Sequence, residues 1–381
     1  MSLLIRNTTS EHRCGQRQEY TTRMGFGYAE KRQFLDHDLN ISDTFDLASF
    51  IEKVFFRLTG VSYRATWKSF FFRPFDQRKF LGFNTIRIDG GPFLVFFETT
   101  IPRLSSERPL LAFLEKRALH SPKCLGLLAI SECAKNLQLN QNGIQREITV
   151  LHPPQKTLVA TANDRRWSNI RPIRFCFVGR DFARKGGIEM LRAFDKLNQK
   201  NWHLTIVSSL SMNDYATQYT KEEQHELKRE VLEILDRRTD QIDWHDSLPN
   251  NKVLDIMKNS HVGLLPTWHD TYGFSVLEFQ ASGCPVISTD IRALPEINNI
   301  NCGWVIPIGK KFDARISPLK SKKQRNAFSK DLTVSLKTLF EEILGSPRVL
   351  LQEKAEKALA RIRTEHDPEQ HKLALIKILE G

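Results

Sequence analysis

The feature that most constrains this chain is the alternation of short apolar runs with helical patterns through its second half. FCFV (175–178), HLTIVSS (203–209), QIDW (241–244), VGLLP (262–266), PVIST (285–289) and WVIPI (304–308) are too short for helices. Between them lie segments of helical periodicity such as KEEQHELKREVLEILDR (221–237) and NKVLDIMKNS (251–260). That rhythm predicts βαβ units and a parallel, doubly wound sheet. Ligands of such sheets bind beyond the carboxyl ends of the strands, so function is expected in the loops that follow the apolar runs. Three further helices, from about Asn326, Pro347 and Pro368, close the chain.

Two of those loops carry chemistry. In HVGLLPTWHDTYGFSVLEFQASGCPVISTDIRALPE (261–296), a strand ends in a polar loop holding His269 and Asp270, and Tyr272-Gly273-Phe274-Ser275 opens a helix. Gly273 removes side-chain bulk where a ligand approaches the backbone, and Ser275 lies beside the unpaired N–H groups of the first turn. Such a helix end attracts phosphates. Glu278 falls about one turn inside the helix, so Asp270 and Glu278 flank whatever the helix end holds. The second loop, in FCFVGRDFARKGGIEMLRAFDKL (175–197), supplies Gly179, Arg180, Lys185 and Gly186 before a helix with apolar Ile188, Leu191, Phe194 and Leu197. A planar guanidinium and a mobile ammonium on a glycine-lined loop suit a diphosphate that gains charge as it leaves. Taken singly, each of these residues also reads as a solvated loop charge, a helix cap or a surface acid.

Together they resemble the retaining family-4 glycosyltransferases of GT-B fold. GR-x4-KG at Gly179, Arg180, Lys185 and Gly186 is similar to that family's diphosphate loop, and HDTYGFSVLE to its E-x7-E motif, with Asp270 first and Glu278 second. SGCPVIST and LPEI fit the same pattern. The resemblance implies two Rossmann-like doubly wound domains facing a central cleft. It gives Glu278 the ribose hydroxyls of a nucleotide-sugar donor, and the Gly273, Phe274 and Ser275 amides with Arg180 and Lys185 its diphosphate. Asp270 takes the transferred sugar, and Asp in place of the usual Glu shortens that contact by one methylene. The expected domains are 1–165 for the acceptor, 166–365 for the donor, and a helix over 366–381 that crosses back. HPPQKTLVATANDRRWSNIRPI (152–173), Pro-rich and then polar, is the expected linker.

The first half is less regular. Strands are predicted at TIRI (85–88), FLVFFE (93–98), GLLAIS (126–131) and ITVLH (148–152), with helices in ERPLLAFLEKRALH and ECAKNLQ. A further helix is expected over Asp43–Leu58, capped by Ser42 or Asp43. The family's opening strand and glycine-rich loop are not evident, since no clear strand precedes Gly25 and Gly27, so an abbreviated or divergent N-terminal domain is expected. Glu98, just past a strand end facing the cleft, is a candidate sugar contact; the other reading pairs it with Arg103.

Charge adds a second theme. Lys and Arg number 56 against 44 Asp and Glu, a net charge of +12, and 310–325 holds seven basic residues against one acid. A basic surface favours polyanions or an anionic leaflet. FIEKVFFRLTGVSYRATWKSFFFRPF (50–75) interleaves aromatic and cationic residues, which suits a headgroup boundary, a nucleic-acid strand, or core aromatics with exposed cations. No run approaches the ~20 apolar residues of a membrane span, and MSLLIRNTTSEHRCGQ lacks a signal-peptide pattern. Cys14, Cys124, Cys133, Cys176, Cys284 and Cys302 form no C-x-x-C pair, so reduced thiols in a cytosolic chain are expected.

With two cations and a helix end to neutralise the diphosphate, neither a cofactor nor a divalent metal is expected. The reading is a retaining glycosyltransferase acting on a saccharide or lipid-linked saccharide, in surface polysaccharide or lipopolysaccharide synthesis, at the inner face of the membrane. Two other readings remain at this point. A non-catalytic GT-B accessory subunit fits the missing glycine loop. A polyanion- or nucleic-acid-binding protein fits the charge but leaves Asp270 and Glu278 beside a phosphate site unexplained.

Overall fold

The computed structural model describes residues 20–23, 32–34, 41–44, 57, 70–73, 75–101, 109–140, 146–162 and 172–380. The first half gives strands β1 (Tyr20–Arg23), β2 (Ile41–Thr44), β3 (Phe70–Phe71), β4 (Lys79–Phe83), β5 (Ile86–Arg87) and β6 (Phe93–Phe97). Helix α1 (Pro109–His120), β7 (Cys124–Ala129), α2 (Glu132–Leu139) and β8 (Ile148–Val150) follow. Six strands form one sheet in the order β2-β1-β4-β6-β7-β8, every pairing parallel, while β3 and β5 pair separately.

Two expectations are corrected here. A strand, Tyr20–Arg23, does precede Gly25 and Gly27, which themselves lie outside the described residues. YTTR offers no apolar run, and parallel pairing with both β2 and β4 makes it a strand. Ser42 and Asp43 do not cap a helix but sit within β2, opposite Thr21 and Thr22. Of the helix expected over 43–58, Arg57 is helical, and residues 45–56 and 58 lie outside the described residues.

The second half is the predicted alternation: β9 (Ile173–Val178), α3 (Gly187–Asp195), β10 (Trp202–Val207), α4 (Lys221–Arg237), β11 (Ile242–His245) and α5 (Asn250–Asn259). It continues with β12 (Val262–Leu265), α6 (Phe274–Ala281), β13 (Val286–Thr289), α7 (Leu294–Ile297) and β14 (Gly303–Ile306). Helices α8 (Ile308–Phe312), α9 (Lys322–Gly345), α10 (Arg348–Glu365) and α11 (Pro368–Glu380) complete the chain. The sheet order is β11-β10-β9-β12-β13-β14, again all parallel. Every residue of β12 and β13 is buried, as central strands covered on both faces must be. Phe175, Phe194 and Phe340 pack ring against ring, tying α3 and α9 to β9.

The two sheets turn their carboxyl ends toward each other. The Glu98 carboxylate after β6 accepts a hydrogen bond from Thr271 Oγ1 at 2.9 Å. Glu296 of α7 accepts the backbone N–H groups of Glu132 and Cys133 at the start of α2, each at 2.7 Å. The chain crosses between the halves twice, side by side: Gln155 N donates to His366 O at 2.8 Å, and the His366 ring meets Pro153 O at 2.9 Å. After this crossing α11 packs on the N-terminal sheet, where Lys79 Nζ donates to Leu379 O at 2.8 Å and His371 stacks on Phe96.

Candidate active site

The loop after β9 and the loop after β12 are fused by glycine geometry. Gly186 has φ +79°, and a Cβ there would lie 2.0 Å from the Pro266 carbonyl oxygen, so the first loop seats directly on the second. Backbone contacts then lock them: Trp268 N donates to Arg184 O at 2.8 Å, and the Arg184 guanidinium donates to His269 O at 2.7 Å. Arg184 is itself matched by Asp181 and Asp214 and works as a strut. Gly179 clears space for the neighbouring lysine, because a Cβ there would be 2.3 Å from Lys185 Cδ.

Lys185 therefore lies across the glycine with its Nζ 3.3 Å from Asp270 Oδ2. Burial favours the neutral acid, but Lys185 and Arg184 outweigh it and hold the Asp270 carboxyl below the ordinary carboxylate range. Arg180 is exposed, and among the described residues its side chain has no ion-pair partner. Helix α6 begins at Gly273, whose φ of +92° is a left-handed start that glycine tolerates. The Ser275 hydroxyl in its first turn is buried and, among the described residues, has no hydrogen-bond partner. That is an orphan a phosphate oxygen would satisfy. Phe274 is half-buried beside it, and Glu278, one turn on, is 8% exposed.

Arg180, Lys185, Asp270, Ser275 and Glu278 thus lie on two adjoining loops and the helix they lead into. Glu98 reaches them from the other sheet through Thr271, and Asn84 Nδ2 also approaches its carboxylate at 3.4 Å. Arg103 lies outside the described residues. His269 is buried, with Nδ1 2.7 Å from Tyr215 Oη and Nε2 3.2 Å from both Ile316 O and Arg292 Nε. Burial and the Arg292 charge pull it down to about 4, so it is neutral near pH 7. Trp244 is half-exposed and donates to Ser208 O at 2.8 Å.

Sequence reading missed three contributors. Arg32, buried in the N-terminal half, places Nη1 3.7 Å from Glu278 Oε1, approaches the Phe274 ring and donates to Gln155. His152, at the start of the interdomain crossing, meets Tyr272 Oη at 3.2 Å through Nδ1. Arg292, after β13, bonds His269. Arg32 and His152 lie outside the motif segments, Arg292 lies within 261–296, and each meets its partner only when the chain packs. Among the described residues no group of three or more His, Cys, Asp or Glu side chains converges as a metal site would require, and the five described cysteines are unpaired.

With this geometry in place, similarity to known proteins is specific. Residues 162–331 match the family Glycosyl transferases group 1. The group 1 match spans both motif loops, from Gly179 to Glu278. No curated protein matches the chain in sequence. Among solved structures, Anabaena Alr3699/HepE in complex with UDP is 11% identical with a TM-score of 0.58, over 95% of this chain and 98% of that one. A glycosyltransferase from Rickettsia africae ESF-5 is 13% identical at TM-score 0.54, over 95% and 90%. An α,α-trehalose-phosphate synthase from Burkholderia xenovorans is 12% identical at 0.54, over 88% and 77%. At such identities the likeness is one of fold, and the fold is GT-B.

Proposed function

We propose that this chain is a retaining glycosyltransferase of the family-4 type that moves a sugar from a nucleoside-diphosphate sugar to a saccharide or lipid-linked saccharide. The observation that carries this reading is the buried Ser275 hydroxyl at the start of α6, unpartnered among the described residues and set between the Lys185–Asp270 pair and Glu278. An anion at the helix end satisfies the hydroxyl, Lys185 and Arg180 neutralise its charge, and Glu278 accepts ribose hydroxyls. Asp270, ionised, accepts from hydroxyls of the transferred sugar.

The donor C1–O bond to phosphate breaks toward an oxocarbenium-like state, and the diphosphate carries the electron pair away. The acceptor oxygen bonds C1 on the face the phosphate leaves, and its proton passes to a diphosphate oxygen. His269 is not the base in this scheme, because its ring nitrogens are engaged and it is a weak base at about 4. Closure of the two domains excludes water, which would otherwise hydrolyse the donor.

The reaction needs no divalent ion in this reading, since Lys185, Arg180 and the α6 start supply the positive field. The chain contains an Asp-x-Asp triplet, Asp36 and Asp38, outside the described residues, so turnover in EDTA is the direct check. Undiminished turnover supports the metal-free scheme; loss restored by Mn²⁺ or Mg²⁺ removes it.

Nucleotide sugars and the chain's charge of +12 are consistent with work at the inner membrane face, and surface-polysaccharide assembly is the pathway class this reading favours. No helix among the described residues is long and apolar enough to cross a membrane. In the aromatic and basic stretch 50–75, Phe75 stands 96% exposed beside Arg73, a pairing suited to headgroups. Flotation with anionic and with neutral vesicles checks this, and equal behaviour with both excludes a charge-driven membrane role.

The deciding experiment is calorimetric titration of the full chain with UDP, GDP, ADP and CMP, repeated with Lys185→Ala and Glu278→Ala. Selective binding of one nucleotide, weakened at least about tenfold in each variant, is expected from the loss of charged hydrogen bonds. A folded protein that binds none of them, or binds equally well in both variants, has no donor site here.

A further inference from the structure

The loop from β13 into α7 holds an arginine in a place that suits glycine. Arg292 has φ +50°, the left-handed region that side chains other than glycine, Asn and Asp seldom adopt. The backbone around it is pinned. Arg292 N donates to Arg315 O at 2.8 Å, while the Asp290 carboxylate accepts from Gly309 N at 2.5 Å and Lys310 N at 2.9 Å. Strain of this kind persists where the surroundings hold it, and it clusters at functional positions.

The guanidinium is matched less completely than other shielded arginines of the chain. Arg87, Arg184 and Arg192 face carboxylates, and Arg146 faces three carbonyls. Among the described residues the Arg292 guanidinium has one hydrogen-bonded partner, His269 Nε2 at 3.2 Å, through its own Nε. Among the described residues its two Nη groups make no hydrogen bond, and no carboxylate comes within ion-pair distance. Burial weakens its hold on its proton, while Glu98, Tyr215 and Cys133 sit within electrostatic reach. These neighbours locate the guanidinium in the cleft. It lies beside the loop that carries Asp270, on the side that faces the strand end of the other sheet.

We propose that Arg292 binds an anionic group, phosphate or carboxylate, carried by the acceptor sugar, and so sets the acceptor class of this enzyme. The proposal rests on the glycosyltransferase reading above. A planar fork with two free edges takes two oxygens of such a group in parallel hydrogen bonds. The donor diphosphate is not this anion. Its cations, Arg180 and Lys185, stand on the loop after β9, and Arg292 stands on the loop after β13, beyond His269. Bonding to His269 also orients Arg292 without adding charge, because the ring is neutral.

The test is calorimetric titration of the full chain, with and without UDP, using glucose, glucose 6-phosphate and glucuronate. The wild type is expected to bind one of the charged sugars at least about tenfold tighter than glucose, as a charge-assisted pair provides. Arg292→Gly is expected to abolish that preference. It relieves the left-handed strain, so its thermal midpoint should not fall, and lost binding then reports the side chain and not the fold. Lys185→Ala is expected to keep the preference. Tighter binding of glucose 6-phosphate alone assigns phosphate, and tighter binding of glucuronate alone assigns carboxylate. Equal binding of all three sugars by the wild type overturns the proposal, as does a preference that survives Arg292→Gly. Nucleotide binding retained in the wild type while the preference is absent removes this inference and leaves the donor reading standing. A preference lost in Arg292→Gly but without nucleotide binding leaves an anion site at Arg292 and removes the donor reading, and with it the acceptor role.

Discussion

At the scale of single residues, function here depends on what glycine permits and on what burial forbids. Gly186 joins the two motif loops at a distance no Cβ survives, with the Pro266 carbonyl 2.0 Å from where that atom would stand and φ at +79°. Gly186→Ala is expected to lower stability by about 2 kcal/mol, combining left-handed strain with displacement of backbone that cannot yield. Nucleotide affinity should fall with it, because Lys185 and Asp270 ride on the displaced loops; urea melts and UDP titration on one preparation check both. His269 and His366 supply a pH signature. Burial pulls their pKa values down to about 4 and about 3, so the folded chain refuses protons that the unfolded chain binds near pH 6.5. Stability is therefore fully present above about pH 6.5 and declines as pH falls through the window toward about pH 4. The Asp270 carboxyl, held low by Lys185 and Arg184, adds loss in the same direction below the usual carboxylate range. Urea midpoints across pH 4 to 8 check the slope, and His366→Gln should flatten it.

At the scale of elements, one helix turns a carboxylate into the interior. On α1, Phe113 is 59% exposed while Glu115 is wholly buried, and among the described residues neither of its carboxylate oxygens is hydrogen-bonded. Burial pushes Glu115 up to about 8, so it is largely protonated in the folded chain at neutral pH. The unfolded chain releases that proton near pH 4.5, so folding loses stability as pH rises from there to about 8. Glu115→Met is expected to raise stability at pH 7.5 by about 2 kcal/mol and to remove this term. Chemical melts at pH 5 and pH 7.5 test it; an unchanged difference between the two pH values counts against the assignment. In the second half, apolar runs bounded by turns gave strand positions to within a residue or two, because central parallel strands are buried on both faces and leave no competing pattern. The joining of Gly179 and Lys185 on one loop was legible too, since a Cβ at Gly179 would stand 2.3 Å from Lys185 Cδ, close by in sequence. Tyr20–Arg23 was not, because pairing with β2 and β4 defines that strand and no apolar run marks it. Arg32 and Arg292 were illegible for a related reason: their partners Glu278 and His269 reach them only through tertiary packing.

At the scale of the molecule, the question is what brings two sheets into register for transfer. The carboxylates of Glu98 and Glu296 span the cleft, and Glu296 does so on terms that make it a latch. Its two oxygens accept the Glu132 and Cys133 N–H groups at 2.7 Å each, at the start of α2, whose next free donor, Ala134 N, is taken by Ser131. A negative charge at a helix N-terminus is favoured by the backbone dipole, and two charged hydrogen bonds add to it. Separating the halves leaves those donors and that carboxylate to water, so the contact favours the closed arrangement by about 2 kcal/mol. The residues proposed to bind the donor, Arg180, Lys185, Ser275 and Glu278, all stand on the loops and helix of the second sheet, whereas transfer requires the acceptor side as well. Glu296→Ala should therefore leave nucleotide affinity within about twofold and lower turnover by roughly tenfold or more, the equivalent of at least 1.4 kcal/mol of closure. Amide exchange at Glu132 and Cys133 should accelerate together, and the small-angle scattering radius should grow. If exchange at both amides and the radius stay at wild-type values, Glu296 does not hold the cleft shut. A fall in nucleotide affinity equal to the fall in turnover would place its effect on the donor sheet itself.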